Sequence, residues 1–215
     1  MYQPLADELR PVELDEVCGQ EHILGQGGLL RRIIESGKIS LVISGNPDAY
    51  ALTRAQNAGI PTAVVSKKQL GGSQEAFEAG ILAEIEKAGI ELIVLAGFMS
   101  ILSEDFTKQW PERIINVHPS LIPSFCGKGF YGLHVHEAAL EYGVKLSGAT
   151  VHFVSEECDG GPIVLQKSVP VENDDTPEIL QRRIMEQAEW VLLPQAVKAF
   201  CEDRITVEGR TVVIK

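Results

Sequence analysis

Short apolar runs alternate with segments of helical periodicity along most of the chain. Four apolar runs predict strands, at residues 40–44, 61–65, 91–96 and 114–118. The run at 91–96 is continuous, as in a strand buried within a parallel sheet. Apolar residues at helical spacing predict a helix that begins after Ser73, a residue type favoured at N-caps, and ends near Ala88. Strands and helices that alternate through short connections predict a doubly wound α/β fold.

The second half of the chain has a different pattern. Helices are predicted at 103–109, 134–142 and 176–200, a strand pair at 149–154 and 162–169, and a hairpin at 205–214. A glycine-rich loop at 127–132 precedes the middle helix, and the loop at 155–161 joins the strand pair. These loops are the positions where we expect the chain to contact a ligand.

Asn116 and His118 lie at the end of the predicted strand 114–118, directly before a turn that contains Pro119 and Pro123. Strand side chains alternate between faces, so the two polar residues point the same way. Ligands of open α/β sheets bind where such strands end. A hydrogen-bond donor beside an imidazole can stabilise an oxyanion and transfer a proton. The alternative is a packed strand-end histidine bound to a backbone carbonyl.

Asp159 is the carboxylate that we expect to meet His118. Two glycines and a proline follow it, and glycines let a backbone approach a ligand closely. A carboxylate beside His118 would raise the pKa of the imidazole. The three side chains suit acyl transfer without a covalent intermediate, since the chain has no G-x-S-x-G nucleophile motif. Taken alone, Asp159 is an ordinary turn residue.

Composition excludes several classes of protein. The 215 residues are 45% hydrophobic and carry a net charge of −11, which argues against a general binder of nucleic acid or anionic membranes. The four cysteines form no CxxC pair and the histidines show no ligand pattern, so we expect no metal site. No apolar run reaches the length of about 18 residues that a membrane helix needs. We therefore expect a cytoplasmic protein.

Three segments together carry a resemblance to a known family. They read AGFMSILS at 96–103, INVHPSLIP at 115–123, and GATVHFV at 148–154 continuing to DGGPI at 159–163. They closely resemble the phosphoribosylglycinamide formyltransferases, folate-dependent enzymes of purine synthesis, from about Glu35 to Ala199. The resemblance implies a Rossmann-like fold with a mostly parallel twisted sheet, and a formyltransferase domain that spans residues 39–215.

The resemblance also implies a reaction and its residues. A formyl group would pass from 10-formyltetrahydrofolate, the co-substrate, to the amine of glycinamide ribonucleotide, with no metal. By position, Asn116, His118 and Asp159 match the catalytic trio. The residues that match folate contacts are Met99, Ser100, Ile101, Leu102, Asn116, Ser155, Glu156, Glu157, Cys158 and Asp159. Those that match contacts to the amine substrate are Pro119, Glu186 and Glu189. Both glutamates have the alternative of an exposed helical charge.

Residues 1–38 depart from the family. A strand and a phosphate-binding loop are expected there and are not recognisable, and Gly27 and Gly28 are the candidate substitute for that loop. This atypical segment resembles the N-terminus of a replication-associated AAA+ ATPase, although the chain has no G-x-x-x-x-G-K-[ST] motif. Gln74 stands where the family has an arginine near the folate tail, so weaker binding of the folate glutamate is expected.

These departures leave three hypotheses open. The first is an active or impaired formyltransferase, the second a non-catalytic folate-binding chimera, and the third a formyltetrahydrofolate deformylase that uses water as acceptor. A missing strand would leave sheet edges that need a cover. The first 24 residues or a second copy of the chain, in a homodimer, are the candidates for that cover. Small-molecule substrates, and neither nucleic acid nor membrane, are the expected partners.

Overall fold

A computed structural model describes residues 39–215, and within it two compact units divide the chain after Ile90. The atypical segment 1–38, with the candidate phosphate loop at Gly27 and Gly28, lies outside the described residues.

The described part of the first unit is a parallel β-α-β arrangement followed by a helix. Its elements are β1 (Val42–Ser44), α1 (Tyr50–Asn57), β2 (Thr62–Val64) and α2 (Gln74–Ala88). The two strands pair in parallel, with Val42 opposite Thr62. The start of α2 agrees with the predicted N-cap, because the Ser73 hydroxyl accepts a hydrogen bond from the Ala76 amide at 3.2 Å. The helix ends at Gly89, whose φ of 62° is the left-handed conformation that glycine adopts readily.

The second unit contains a six-stranded sheet in the order β3-β4-β5-β6-β8-β7. Its elements are β3 (Ile93–Leu95), α3 (Glu104–Gln109), β4 (Ile114–His118), α4 (Leu133–Tyr142), β5 (Leu146–Phe153), β6 (Ile163–Pro170), α5 (Pro177–Ile184), α6 (Trp190–Cys201), β7 (Ile205–Glu208) and β8 (Thr211–Ile214). The pairs β3–β4 and β6–β8 are parallel, whereas β4–β5, β5–β6 and the predicted hairpin β7–β8 are antiparallel.

The strand predicted at 91–96 is shorter and less buried than expected. Only Ile93–Leu95 pair, and 39% of the Val94 side chain is exposed. Within the described sheet β3 is an edge strand that pairs with β4 alone, and an edge position leaves part of a strand open. The continuous apolar run therefore indicated a strand correctly.

The two faces of β4 and β5 differ in chemistry. Ile115 on β4 and Val151 on β5 point into the main hydrophobic core, which they form with apolar residues of α5, α6 and the segment between these helices. Because strand side chains alternate, Asn116 and His118 on β4 lie on the opposite face, as the sequence predicted. The sheet therefore has one apolar face that stabilises the fold and one face that carries polar side chains.

The helix predicted at 176–200 begins and ends nearly as expected but is not continuous. Thr176 caps it, since its hydroxyl accepts from the Ile179 amide at 3.3 Å. Between α5 and α6, residues Met185–Glu189 form a π-helical turn, and Pro194 lies inside α6. Proline lacks the amide proton that a regular helix needs, and π turns occur often at functional sites. Residue periodicity alone predicted one regular helix and missed this turn.

Candidate active site

Asn116 and His152 are direct neighbours on the polar face of the sheet. The antiparallel register places Asn116 opposite His152 and His118 opposite Thr150. The Nδ1 atom of His152 lies 2.9 Å from the carbonyl oxygen of Phe153. Since a carbonyl only accepts, we assign a proton to Nδ1 and the acceptor role to Nε2. The Asn116 amide donates to that Nε2 across 3.2 Å, which leaves its second amide proton available.

His118 is held by a backbone carbonyl on one side and faces a carboxylate on the other. Its Nε2–H donates to the oxygen of Phe125 at 2.9 Å, and its Nδ1 lies 3.6 Å from Oδ2 of Asp159. Only 4% of the residue is exposed. Burial lowers the pKa of His118, against the opposing effects of the Phe125 hydrogen bond and of the Asp159 charge. The alternative interpretation of His118 predicted a hydrogen bond to a backbone carbonyl, and this bond is present. It nevertheless leaves Nδ1 facing Asp159.

Asp159 lies between the two imidazole rings. Its Oδ2 accepts a hydrogen bond from the Gly127 amide at 2.8 Å, and its Oδ1 is 3.5 Å from Nε2 of His152. Burial alone would raise the pKa of Asp159, but the hydrogen bond from the Gly127 amide and the positive charge that the two neighbouring imidazoles carry when protonated outweigh it and lower the pKa. The contacts with the two rings, at 3.6 and 3.5 Å, are longer than normal hydrogen bonds. The structure thus brings Asn116, His118 and Asp159 together.

The backbone around Asp159 explains the glycines that follow it. Asp159 itself has a φ of 55°, a left-handed conformation that aspartate tolerates better than most residues. A Cβ on Gly161 would lie 1.9 Å from the carbonyl oxygen of Phe153, so only glycine fits against β5 there. The same carbonyl accepts the His152 proton. The loop that carries Asp159 therefore packs closely against β5, the strand that carries His152.

The other histidines in the described chain have different surroundings. His134 is exposed and its Nδ1 contacts Glu137 at 2.9 Å. His136 is fully buried, and burial lowers its pKa to about 4, so the ring is neutral at physiological pH. His152 is the one that accepts from Asn116 and lies 3.5 Å from Asp159, a position that the sequence did not reveal. Pairing β4 with β5 in the antiparallel sense would have suggested it, because Asn116 and His152 share the same alternating face.

The predicted folate segment leaves the sheet at the edge that carries Asn116. β3 and β4 are parallel and Leu95 pairs with Asn116, so residues 96–102 follow β3 at the same edge. In this segment the side chains of Met99 and Ile101 are 65% and 61% exposed, while Ser100 and Leu102 are half-buried. The second predicted segment, residues 155–158, is a loop whose Ser155 hydroxyl donates to the Glu157 carbonyl at 3.2 Å.

Glu186 and Glu189 form no hydrogen bond or ion pair with the trio. Glu186 accepts from Nε of Arg182 at 2.9 Å, the geometry of an ordinary exposed helical pair. Glu189 is half-buried at the end of the π-helical turn, where burial raises its pKa to about 7. Pro119, directly after His118, is half-buried. Gln74 belongs to the first unit, where Nζ of Lys67 donates to its side-chain oxygen at 2.5 Å.

Residues 39–215 contain neither a metal-binding cluster nor a membrane-spanning helix. Within that range no group of three or more His, Cys, Asp or Glu side chains is arranged to hold a metal ion. Among the helices of the same range, none combines the length and the apolar character required to cross a membrane.

Sequence comparisons place these features in one family. The sequence profile described as formyl transferase matches residues 26–197. The phosphoribosylglycinamide formyltransferase of Haemophilus influenzae is 40% identical over 193 residues, which cover 86% of this chain and 88% of that protein. The trifunctional purine biosynthetic protein adenosine-3 of Gallus gallus is 42% identical over 192 residues, and the match spans 86% of this chain but only 18% of that protein.

Structural comparisons confirm the predicted α/β, Rossmann-like fold. Glycinamide ribonucleotide transformylase 1 from Symbiobacterium toebii has a TM-score of 0.77 at 39% identity, over 86% of this chain and 88% of that chain. A formyltetrahydrofolate deformylase from Pseudomonas syringae has a TM-score of 0.75 at 29% identity, over 90% of this chain and 62% of that chain. On the profile match and the full-length relatives, the chain belongs to the formyl transferase family, in its phosphoribosylglycinamide formyltransferase branch.

Proposed function

We propose that this chain transfers the formyl group of 10-formyltetrahydrofolate to the amine of glycinamide ribonucleotide, a step of purine biosynthesis. The observation that carries the proposal is the group formed by the buried His118 and His152 with the half-buried Asn116 and Asp159, in a chain 40% identical to a formyltransferase of similar length. An amide donor and an imidazole beside a carboxylate are the groups that a tetrahedral oxyanion requires.

In the proposed mechanism, the substrate amine attacks the formyl carbon and the carbonyl oxygen becomes an oxyanion. Asn116 uses one amide proton for His152, and its second proton donates to the oxyanion. The Nε2–H of His118 is committed to Phe125, so Nδ1 is the atom that takes up and releases a proton. Asp159 stabilises that proton through its negative charge.

The proton transfers of this reaction balance without a further acid. The attacking amine loses one proton and the departing folate nitrogen gains one. Nδ1 of His118, with Asp159 beside it, relays this proton through water. No covalent intermediate with the enzyme is needed, in keeping with the absence of a G-x-S-x-G motif in the sequence.

The substrate contacts are assigned by position in the family. We assign the folate to the exposed apolar side chains of Met99 and Ile101, with Ser100 and Leu102, and to the loop of Ser155, Glu156, Glu157, Cys158 and Asp159. The amine substrate is assigned to Pro119, Glu186 and Glu189, and its phosphate to Gly27 and Gly28. The half-buried position of Glu189 supports its assignment to the amine substrate. Glu186 has weaker support, because it is exposed and pairs with Arg182.

Deformylation is the second candidate function. The structural likeness to the Pseudomonas syringae deformylase, at 29% identity, is the observation that favours it. In that case water takes the place of the amine, and Asn116, His118 and Asp159 have the same roles as in formyl transfer.

For the finer features of the chain we propose the following. Residues 1–38 derive in part from a segment like the N-terminus of an AAA+ ATPase, although the formyl transferase profile already begins at residue 26. The free thiols of Cys126, Cys158 and Cys201 suit the reducing conditions of the cytoplasm. A homodimer is proposed as the cover for exposed sheet edges, and sedimentation of the purified chain would test it.

A three-way assay tests the function. The purified chain is mixed with glycinamide ribonucleotide and a 10-formyl folate analogue, and release of the deformylated folate is followed. Release that depends on the amine supports formyl transfer, and release without the amine supports the deformylase. If the folate analogue binds by calorimetry but no release occurs in either mixture, the chain is a folate-binding chimera and the proposed activity is wrong.

A histidine pair provides the matched variants. His118→Asn is expected to abolish turnover, because it removes Nδ1, the atom that relays the proton in the proposed mechanism. His134→Asn, on the exposed surface of α4, should retain it. Equal activity of the two variants would refute the role assigned to His118.

A further inference from the structure

A row of side chains crosses three neighbouring strands on the face of the sheet that carries His118. Strand pairing places His118 of β4 opposite Thr150 of β5, and Thr150 opposite Gln166 of β6. Residues paired in this way share one face of the sheet. Thr150 is fully buried and His118 is 4% exposed. The catalytic assignment uses the first of these residues and leaves the other two without a function.

The Thr150 hydroxyl holds the turn that follows His118. It donates to the carbonyl oxygen of Ser120 at 2.7 Å and accepts from the Ile122 amide at 3.1 Å. It also accepts from Nε2 of Gln166 at 2.9 Å. The second proton of that Gln166 amide goes to the carbonyl oxygen of Ile122 at 3.0 Å. Two side chains thus bind three backbone groups of residues 120–122.

The turn needs this support because its far end is strained. Phe125 has a φ of 49°, which a bulky residue rarely adopts. Its carbonyl oxygen, aimed by this conformation, accepts the Nε2–H of His118 at 2.9 Å. Strained backbone persists only where surrounding contacts hold it. Inside the turn, the Ser120 hydroxyl donates to the Ser124 carbonyl at 2.6 Å and so links the two ends.

We propose that Thr150 and Gln166 are positioning residues for the reaction, which clamp the turn 120–125 so that the Phe125 carbonyl fixes the tautomer and orientation of His118. Neither residue touches the reacting atoms in this assignment. They act through the turn, by keeping Nε2 of His118 occupied and Nδ1 directed at Asp159. The inference rests on the proposed function for its kinetic consequence but not for its structural one.

A change in the clamp should change the titration of His118. The Phe125 hydrogen bond raises the pKa of His118, so loosening the turn lowers it further. The other groups that act on His118 are Asp159, which raises its pKa, and His152, which lowers it, while the neutral His136 ring lies nearby. None of these three is altered by substitutions at Thr150 or Gln166.

The test compares variants that differ by one polar group. Thr150→Val removes the hydroxyl at nearly constant volume, and Thr150→Ser retains it. Gln166→Met removes the amide at an exposed position, where the fold tolerates change. Ser168→Ala is the matched control, because Ser168 is exposed on the same strand and two residues further along. The His118 ring is titrated by NMR in each variant, and kcat/KM is measured against pH.

We expect Thr150→Val and Gln166→Met to lower the pKa of His118 measurably and kcat/KM by about tenfold or more, as for small misplacements of catalytic groups. Thr150→Ser and Ser168→Ala should behave like the parent chain. Unchanged titration in both polar-group deletions would overturn the proposal, as would equal loss in Thr150→Ser and Thr150→Val. If Thr150→Val does not fold, Gln166→Met decides alone. NMR titration needs no turnover, so failure of the clamp and failure of the proposed function are distinguished.

Discussion

Asn116 and His152 lie opposite each other on β4 and β5, and the Asn116 amide donates to Nε2 of His152 across 3.2 Å. The backbone carbonyl of Phe153 fixes the His152 tautomer that makes this possible. An asparagine amide without a partner can flip, whereas the hydrogen bond to His152 fixes the orientation of this one and leaves its second proton for another acceptor. His152 therefore determines where the proposed oxyanion donor points.

His152→Ala should lower kcat by about 10- to 100-fold, as expected when a catalytic group loses its orientation. The effect should act through Asn116, so adding His152→Ala to Asn116→Ala should change the rate little further. A double-mutant cycle in kcat measures this coupling. His152→Gln, which retains an acceptor, should lose less activity than His152→Ala. Additive losses in the cycle would show that the two side chains act independently.

Asp159→Asn should lower kcat/KM by about 10²- to 10⁴-fold, the usual contribution of a group that supports proton transfer. The Asp159 charge raises the pKa of His118, so its removal should lower that pKa further and shift the acidic limb of the pH profile, where His118 is the proton acceptor, to lower pH. NMR titration of His118 and the kcat/KM profile measure the two effects. Asp203→Asn is the control, because Asp203 has a similar φ of 52° but is exposed. A parent-like His118 pKa in Asp159→Asn would contradict the prediction.

Strand periodicity was sufficient to predict that Asn116 and His118 share a face, because alternation is a local property of one strand. It was not sufficient to find His152 or Thr150. Their positions depend on which strand pairs with β4 and in which register, and these are long-range properties. The proximity of Asp159 to His118 was predicted from the chemistry of the loop, and the Gly127 amide that holds Asp159 gave no signal in the sequence.

The helix at 176–200 shows a different limit. Thr176 as a cap and the helical period were readable from local residue types. The π-helical turn Met185–Glu189 was not, because one extra residue within a turn leaves the apolar spacing nearly unchanged. The π-helical turn packs against β5 and β6, so its formation depends on tertiary contacts.

Gly161→Ala should disrupt both stability and the site. The added Cβ would lie 1.9 Å from the Phe153 oxygen, so the loop or the strand must move. Overpacking of this kind costs about 1–3 kcal/mol, and the free energy of urea unfolding measures it. Gly45→Ala is the stability control, because its Cβ would meet the Val65 oxygen at an ordinary 3.6 Å. Equal unfolding free energies for the two variants would contradict the close packing of the Asp159 loop.

Glu189 should make the stability of the protein depend on pH near neutrality. Burial raises its pKa from an ordinary 4.5 to about 7. A carboxyl with a raised folded-state pKa favours folding below its unfolded pKa, and this contribution is lost as the pH rises toward 7. Over that interval unfolding releases a proton from Glu189, so the free energy of unfolding must fall. Above pH 7 both states are ionised and the loss is complete.

Glu189→Gln removes this titration and should stabilise the substrate-free protein by about 2 kcal/mol more at pH 8 than at pH 5. Urea unfolding at the two pH values measures the difference. Glu186→Gln is the matched control, since Glu186 is exposed on the same turn and pairs with Arg182. Because this variant retains Glu189, it should lose stability between pH 5 and pH 8 as the parent chain does. If Glu189→Gln and the parent chain lose stability equally between pH 5 and pH 8, the Glu189 carboxyl does not carry the raised pKa.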